Sequence, residues 1–270
     1  MQNICLVGCG KMGSAMLAGW QKDSRLSAEF HVVEPHLAGP ELARENSYFY
    51  ADIGALPPGY CADLVVLAVK PQMMAEVLAQ AKSINGDRTS WLSIAAGLST
   101  QKLSAMLDGE KKILRAMPNT PAAIAMGITA LFACADVPPE MHELSERLLG
   151  ASGEVVRLAD EKLMDAVTAL SGSGPAYVFL LAEAMAAAGT RLGLPEDMAM
   201  QLAIQTIKGA GALMAADDSP PAILRENVTS RGGTTAAALS VLMTDGRMAR
   251  MMDEALVAAA RRAAELDAQG

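Results

Sequence analysis

Aromatic side chains are scarce in this chain. Only two Trp, four Tyr and four Phe occur among 270 residues, although 51% of the sequence is hydrophobic, so alanine, leucine and methionine carry the apolar content. Such a composition suits packed helices. Cysteine is scarce as well. Cys5, Cys9, Cys61 and Cys134 form no CxxC pair and no metal-ligand spacing, which argues against a disulfide framework or a metal site and fits a reducing cytoplasm. Basic residues number 22 against 30 acidic ones, for a net charge of −8, and no basic cluster stands out. Nucleic acid and anionic membrane surfaces are therefore not the expected partners. No basic, apolar, small-residue leader precedes the first strand, so no secretory signal is expected. The longest apolar stretch, Pro175 to Gly189, contains Glu183 and is too short and alanine-rich to span a bilayer. The expectation is a soluble, cytoplasmic protein acting on a small molecule.

What the chain does have is glycine in two telling places. The run Asn227-Val228-Thr229-Ser230-Arg231-Gly232-Gly233-Thr234-Thr235 sets adjacent glycines between hydroxyl residues, with a helical segment following at once. Glycines let successive N–H groups turn toward one point, and a helix start adds unpaired donors and a partial positive charge. That makes a pocket for a small anion such as a carboxylate, with Ser230, Gly233, Thr234 and Thr235 as its candidate residues. An ordinary N-cap preceded by a glycine turn accounts for the same residues, and this run alone leaves both readings open.

The second place is near the N-terminus. Asn3 to Val7 reads as a buried parallel strand that runs into Gly8-Cys9-Gly10-Lys11-Met12-Gly13 and then a helix. Gly8 permits the tight turn, Gly10 lets main chain approach a pyrophosphate, and Gly13 lets the helix pack against the strand. A second strand, Phe30 to Val33, ends in Glu34, about 20 residues beyond the last glycine, where an acid that binds a ribose is expected. The cofactor is thus a dinucleotide, NADPH or NADH. Glu34 can accept hydrogen bonds from a ribose 2′-OH but repels a 2′-phosphate, and no arginine follows until Arg44, so NADH is expected to serve at least as well as NADPH.

Along the first half, apolar strands alternate with helices: helix 40–46, strand 64–69, helix 73–82, strand 90–95, helix 100–107 and strand 113–116. This order predicts a doubly wound parallel sheet with its ligand crevice at the carboxyl ends of the strands. Ala68-Val69-Lys70-Pro71, Ala95-Ala96-Gly97 and the Asn119 segment occupy such ends and are expected along the cofactor. From about residue 160 the pattern is helical, over 161–170, 175–193, 195–216, 233–244 and 247–268. The fold class is α/β: a Rossmann-type dinucleotide-binding domain, 1–159, followed by an all-helical domain, 160–270. The helix 175–193 is apolar nearly all round, so a partner subunit is expected to cover it.

The segment Ser171-Gly172-Ser173-Gly174-Pro175-Ala176-Tyr177 opens that helix, as a close-packed helix entry or as a loop facing the nicotinamide. With it, the Gly8/Gly10/Gly13 turn, Ala68 to Pro71, Met117-Pro118-Asn119-Thr120-Pro121 and Asn227 to Thr235 together resemble pyrroline-5-carboxylate reductase over essentially the full length. The resemblance implies reduction of 1-pyrroline-5-carboxylate to L-proline by NAD(P)H, a substrate carboxylate held at Ser230 to Thr235, and the Thr235 hydroxyl near the ring nitrogen. It also implies an active site completed across a homodimer and leaves a ring of dimers open. Arg231 departs from the family, where proline or lysine is commoner.

The chemistry of the residues points the same way. Ketone reduction needs a proton donor for the developing alkoxide, usually His or Lys. None of His31, His36 and His142 lies in a candidate substrate loop, and the helix from Pro175 carries no lysine. A cyclic imine can enter already protonated and needs no strong acid. A β-hydroxyacid-type dehydrogenase, or a non-catalytic NAD(P)-sensing protein of the same fold, are the rival readings.

Overall fold

The computed structural model describes residues 1–36 and 44–269. Eight strands form one sheet: β1 (Gln2–Val7), β2 (Ala28–Val33), β3 (Ser47–Tyr50), β4 (Leu64–Leu67), β5 (Ser90–Ser93), β6 (Ile113–Met117), β7 (Gly127–Ala133) and β8 (Gly153–Arg157). Their spatial order is β3-β2-β1-β4-β5-β6-β7-β8, parallel except where β7 runs against β6. The order reverses between β1 and β4, which is the switch point where such sheets bind ligands.

The central strands are apolar on both sides because both faces are covered. One face packs Ile4 and Leu6 of β1 against Met16, Leu17 and Trp20 of α1 (Lys11–Trp20) and Leu144 and Leu148 of α4 (Pro139–Gly150). The other packs Cys5, Val65 and Leu67 against Met74 and Leu78 of α2 (Met74–Ala81) and Leu103 of α3 (Thr100–Met106). These are the two helical layers that near-continuous apolar strands require, and the doubly wound expectation holds.

Three parts of the strand–helix half, residues 1–159, differ from the sequence expectation. Of the helix expected over 40–46, residues 40–43 lie outside the described residues, and 44–46 form a turn into β3. β3, Ser47 to Tyr50, lies outside the sequence expectation; it is an edge strand of four residues, with Tyr48 facing solvent. The sequence pattern gives no element over 122–159, and these residues hold β7, α4 and β8.

Two compact units emerge: Met1–Gly172 with Ala259–Gly270, and Ser173–Ala258. The sequence division at 159/160 falls earlier, before a short 3₁₀ turn, the helix α5 (Met164–Val167) and a π-turn, Thr168–Gly172. The second unit is wholly helical. It comprises α6 (Gly174–Arg191), α7 (Glu196–Ala216), α8 (Pro221–Asn227), α9 (Thr234–Met243) and the first part of α10 (Arg247–Gln269). Pro175 sits in the first turn of α6, where its missing N–H costs nothing. The only buried apolar cluster in this unit is Ala186 with Ala199 and Ala203, where α6 meets α7. Meanwhile Phe179, Leu180, Leu202, Ile204 and Leu213 all stand at least half exposed on the single chain. Among the described residues, no helix is long and apolar enough to cross a membrane.

Candidate active site

Each glycine of the first turn has its own steric reason. Gly8 follows β1 at φ +94°, and a Cβ there would lie 2.8 Å from the Ala68 carbonyl carbon and oxygen. A Cβ on Gly13 would lie 2.3 Å from the Gly8 carbonyl oxygen, so α1 could not sit so close to the strand. Around Gly10 there is open space, with nothing within 4 Å of a Cβ. Gly10 is also the N-cap of α1 and supplies no side-chain cap, so the first-turn amides of Lys11, Met12 and Gly13 face that space without a capping oxygen. Unpaired donors at a helix start with room beside them suit a pyrophosphate.

Beside the turn lies a cleft of about 380 Å³. Gly8, Gly10, Glu34, Ala68, Val69 and Lys70 line it, as expected from sequence; Pro71 adjoins it, opening the 3₁₀ turn before α2. Ile53, Met73 and Val77 complete an apolar wall that was not read from sequence. Met73 and Val77 are four residues apart, a helical spacing that any amphipathic helix shows. The Glu34 carboxylate accepts hydrogen bonds from the main-chain N–H of Cys9 at 2.8 Å and of His36 at 3.0 Å. Burial, with the Glu34 charge beside it, pushes the Cys9 thiol up to about 11, so it remains a neutral packing group.

The other expected cofactor segments are more enclosed. Gly97 has φ +69°, and its Cβ would lie 2.7 Å from the Leu266 Cβ; packing against α10 is its reason for being glycine. Ala95 is buried and Ala96 half-buried. Asn119 corrects the expectation for its side chain. It is 9% exposed, its Oδ1 accepts from the Ile128 N–H at 3.0 Å, and its Nδ2 donates to the Ser171 carbonyl at 3.2 Å. Its amide ties the β6 loop to β7 and to the π-turn rather than standing open to a cofactor.

In the helical unit, Asn227 and Val228 close α8 instead of belonging to the loop, a short helix the sequence expectation lacked. Gly233 caps α9. The N–H of Gly233 donates to the Ser230 carbonyl at 3.0 Å, so it is spent on the turn and is not the anion donor expected of it. A Cβ on Gly233 would lie 2.3 Å from Ser230 Oγ, which brings that hydroxyl against the helix start. The amides of Thr234 and Thr235 begin α9, donate to no side-chain cap, and remain as donors beside the Ser230 and Thr235 hydroxyls. Tyr177 lies half-buried on the first turns of α6. In the sheet-bearing unit, His31 packs among Tyr48, Tyr50 and Tyr60 at 5.1, 5.8 and 4.4 Å between ring centroids. Among the described residues, no group of His, Cys, Asp and Glu could hold a metal ion.

A pyrroline-5-carboxylate reductase from Haemophilus influenzae is 39% identical to this chain, covering 88% of each. The chain belongs to the pyrroline-5-carboxylate reductase family. Residues 161–266 match the family described as pyrroline-5-carboxylate reductase dimerisation, and residues 3–97 match NADP oxidoreductase coenzyme F420-dependent. The structure is similar to that of a pyrroline-5-carboxylate reductase from Coxiella burnetii, with a TM-score of 0.88 and 35% identity over 98% of both chains. It is also similar to a Plasmodium falciparum pyrroline carboxylate reductase with NADP bound, at a TM-score of 0.82 and 28% identity over 98% of both. A prephenate dehydrogenase from Aquifex aeolicus, 14% identical with a TM-score of 0.53, shares the fold alone. Family membership makes this chain an NAD(P)H-dependent oxidoreductase with a helical segment of the dimerising kind.

Proposed function

We propose that this protein reduces 1-pyrroline-5-carboxylate to L-proline. Hydride passes from the nicotinamide of NAD(P)H to the imine carbon. The nitrogen, protonated before transfer, keeps its proton and becomes the ring amine; NAD(P)⁺ leaves. The observation that carries this reading is the presence of two helix starts with different surroundings in a chain 39% identical to a pyrroline-5-carboxylate reductase. The start of α1 opens into space beside a nucleotide-sized cleft, and the start of α9 offers two amides flanked by hydroxyls.

Under this reading the amides of Thr234 and Thr235 hold the substrate carboxylate, Ser230 assists, and the Thr235 hydroxyl orients the ring nitrogen. Glu34 takes the adenosine ribose and favours NADH at least as well as NADPH. Residues 1–159 serve the nucleotide, and 160–270 serve the substrate and a homodimer built on the apolar helical faces. The setting is cytoplasmic, which the unpaired state of all four cysteines fits. A β-hydroxyacid substrate is disfavoured because neither α6 nor the Ser230 to Thr235 loop contains a lysine or histidine.

The test is direct. Purified protein is mixed with NADH or NADPH and pyrroline-5-carboxylate, and nicotinamide absorbance is followed alongside proline formation. Oxidation of the cofactor with stoichiometric proline is expected; no turnover with either cofactor would overturn the reading.

A further inference from the structure

Helix α3 has an unusual beginning. Its N-cap, Ser99, makes no side-chain capping bond, although serine is well suited to do so. Two distant carboxylates cap the helix in its place. Asp267 Oδ1 accepts the Ser99 N–H at 2.7 Å from 168 residues away. Glu161 accepts the Thr100 N–H at 2.8 Å and the Thr100 hydroxyl at 2.5 Å. Glu161 is itself held by Arg115, whose Nη1 donates to it at 2.9 Å from a site only 3% exposed.

The Asp267 contact is not explained by helix formation. Asp267 lies in the last turn of α10, where the helix dipole disfavours an acid, and no basic residue is there to offset it. Next to it, Leu266 meets the main chain just before Ser99. A Cβ on Gly97 would fall 2.7 Å from Leu266 Cβ and 3.3 Å from its carbonyl carbon. Gly97 also holds φ +69°, a conformation that other residues adopt at a cost. The loop leaving β5 is thus fixed on one flank by Glu161 and on the other by the last turn of the chain.

We propose that Asp267 and Leu266 are positioning residues for the Ala95–Gly97 loop, and through it for the nicotinamide cofactor. This rests on the reading above, in which that loop lies along the cofactor. Neither side chain touches the reacting atoms. Their effect is to select one loop conformation before the cofactor arrives, so that binding does not have to order it.

The experiment uses the full chain with Asp267→Ala, Asp267→Asn and Leu266→Ala. Cofactor binding is followed by nicotinamide fluorescence, and KM for cofactor and for substrate are measured well below the melting temperature. Asp267→Ala is expected to raise the cofactor Kd and KM about threefold to tenfold, the scale of one lost ordering hydrogen bond, with substrate KM unchanged. Asp267→Asn keeps an acceptor oxygen and should restore most of the affinity. Leu266→Ala should weaken the cofactor in the same sense, and it serves where Asp267→Ala folds poorly. A purely structural role would lower stability and the active fraction while leaving cofactor KM alone. Native protein that binds cofactor, with Asp267→Ala and Leu266→Ala both within twofold of its cofactor KM, would overturn the proposal and spare the functional reading. Native protein that binds no nicotinamide cofactor would sink both.

Discussion

The carboxylate of Glu34 reaches back 25 residues to accept the N–H of Cys9 at 2.8 Å, in the middle of the glycine turn. The acid at the end of β2 and the glycine turn are therefore tied together, and under the proposed reading Glu34 cannot swing away from a 2′-phosphate without giving up that bond. NADH should give a kcat/KM at least equal to that for NADPH. Glu34→Ser should move the ratio toward NADPH by about tenfold, the worth of one charge-assisted contact. A native preference for NADPH above tenfold would end this account.

Thr235→Val removes one hydroxyl from the start of α9 and leaves its amides in place. A hydrogen bond to a charged group is worth about 1.5–3 kcal/mol, so kcat/KM should fall about ten- to a hundredfold while cofactor KM holds. Tyr177→Phe should retain near-normal turnover, because a substrate entering as the iminium needs no acid. Steady-state kinetics of both variants at saturating cofactor separates this from a mechanism with Tyr177 as general acid, which requires the opposite ranking.

Glu161→Ala would strand the Arg115 guanidinium, which is 3% exposed and whose Nε and Nη2 already have no partner among the described residues. Leaving one member of a buried pair uncompensated costs about 3 kcal/mol, or roughly 6–12 °C in Tm for a chain of this size. Calorimetry should also show a milder loss for Glu161→Gln, which keeps an acceptor for Thr100.

How far the sequence reached follows from the range of each interaction. The turn at Gly8, the open space at Gly10, the close packing at Gly13 and the place of Glu34 after β2 are legible because they lie within one strand–turn–helix unit and the strand beside it. β7 and β8 are not: the apolar run Ala130 to Ala135 is short and rich in alanine, and Gly153 to Arg157 carries charges at both ends, so neither announces a strand by pattern alone. At the anion loop the hydroxyl and glycine pattern was visible, but the Gly233 N–H turned inward to Ser230, a three-residue bond that composition does not announce. The place of Asn119 after β6 suggests a cofactor contact, whereas its amide closes on Ile128 and on Ser171 52 residues away. Asp267 left no trace at all, being paired across 168 residues.

His31 gives the fold a pH dependence. Burial among the tyrosines lowers its pKa below the ordinary 6.5, and Glu29, 3.9 Å away, only partly offsets this. A base whose folded pKa is lowered contributes stability that is complete above the unfolded value. That stability is lost as pH falls from about 6.5 through the folded value, because the unfolded chain binds the proton first. Urea melts between pH 7.5 and 5 should show this loss in native protein and a flatter profile in His31→Phe, which keeps an aromatic ring in the cluster.

The alanine seam between α6 and α7 makes the folded helical unit a matter of mass action. Three small buried side chains leave long helices whose leucines, isoleucines and phenylalanine face outward, so under the proposed reading a second chain supplies much of the free energy. Such a protein has no single melting temperature: Tm should rise with protomer concentration, and dilution should cost activity before it costs the nucleotide-binding sheet. Leu181→Glu, which places a charge beside Val178 and Met185 on the exposed apolar face of α6, should steepen that dependence. Light scattering that finds a folded, active monomer at nanomolar concentration would contradict it.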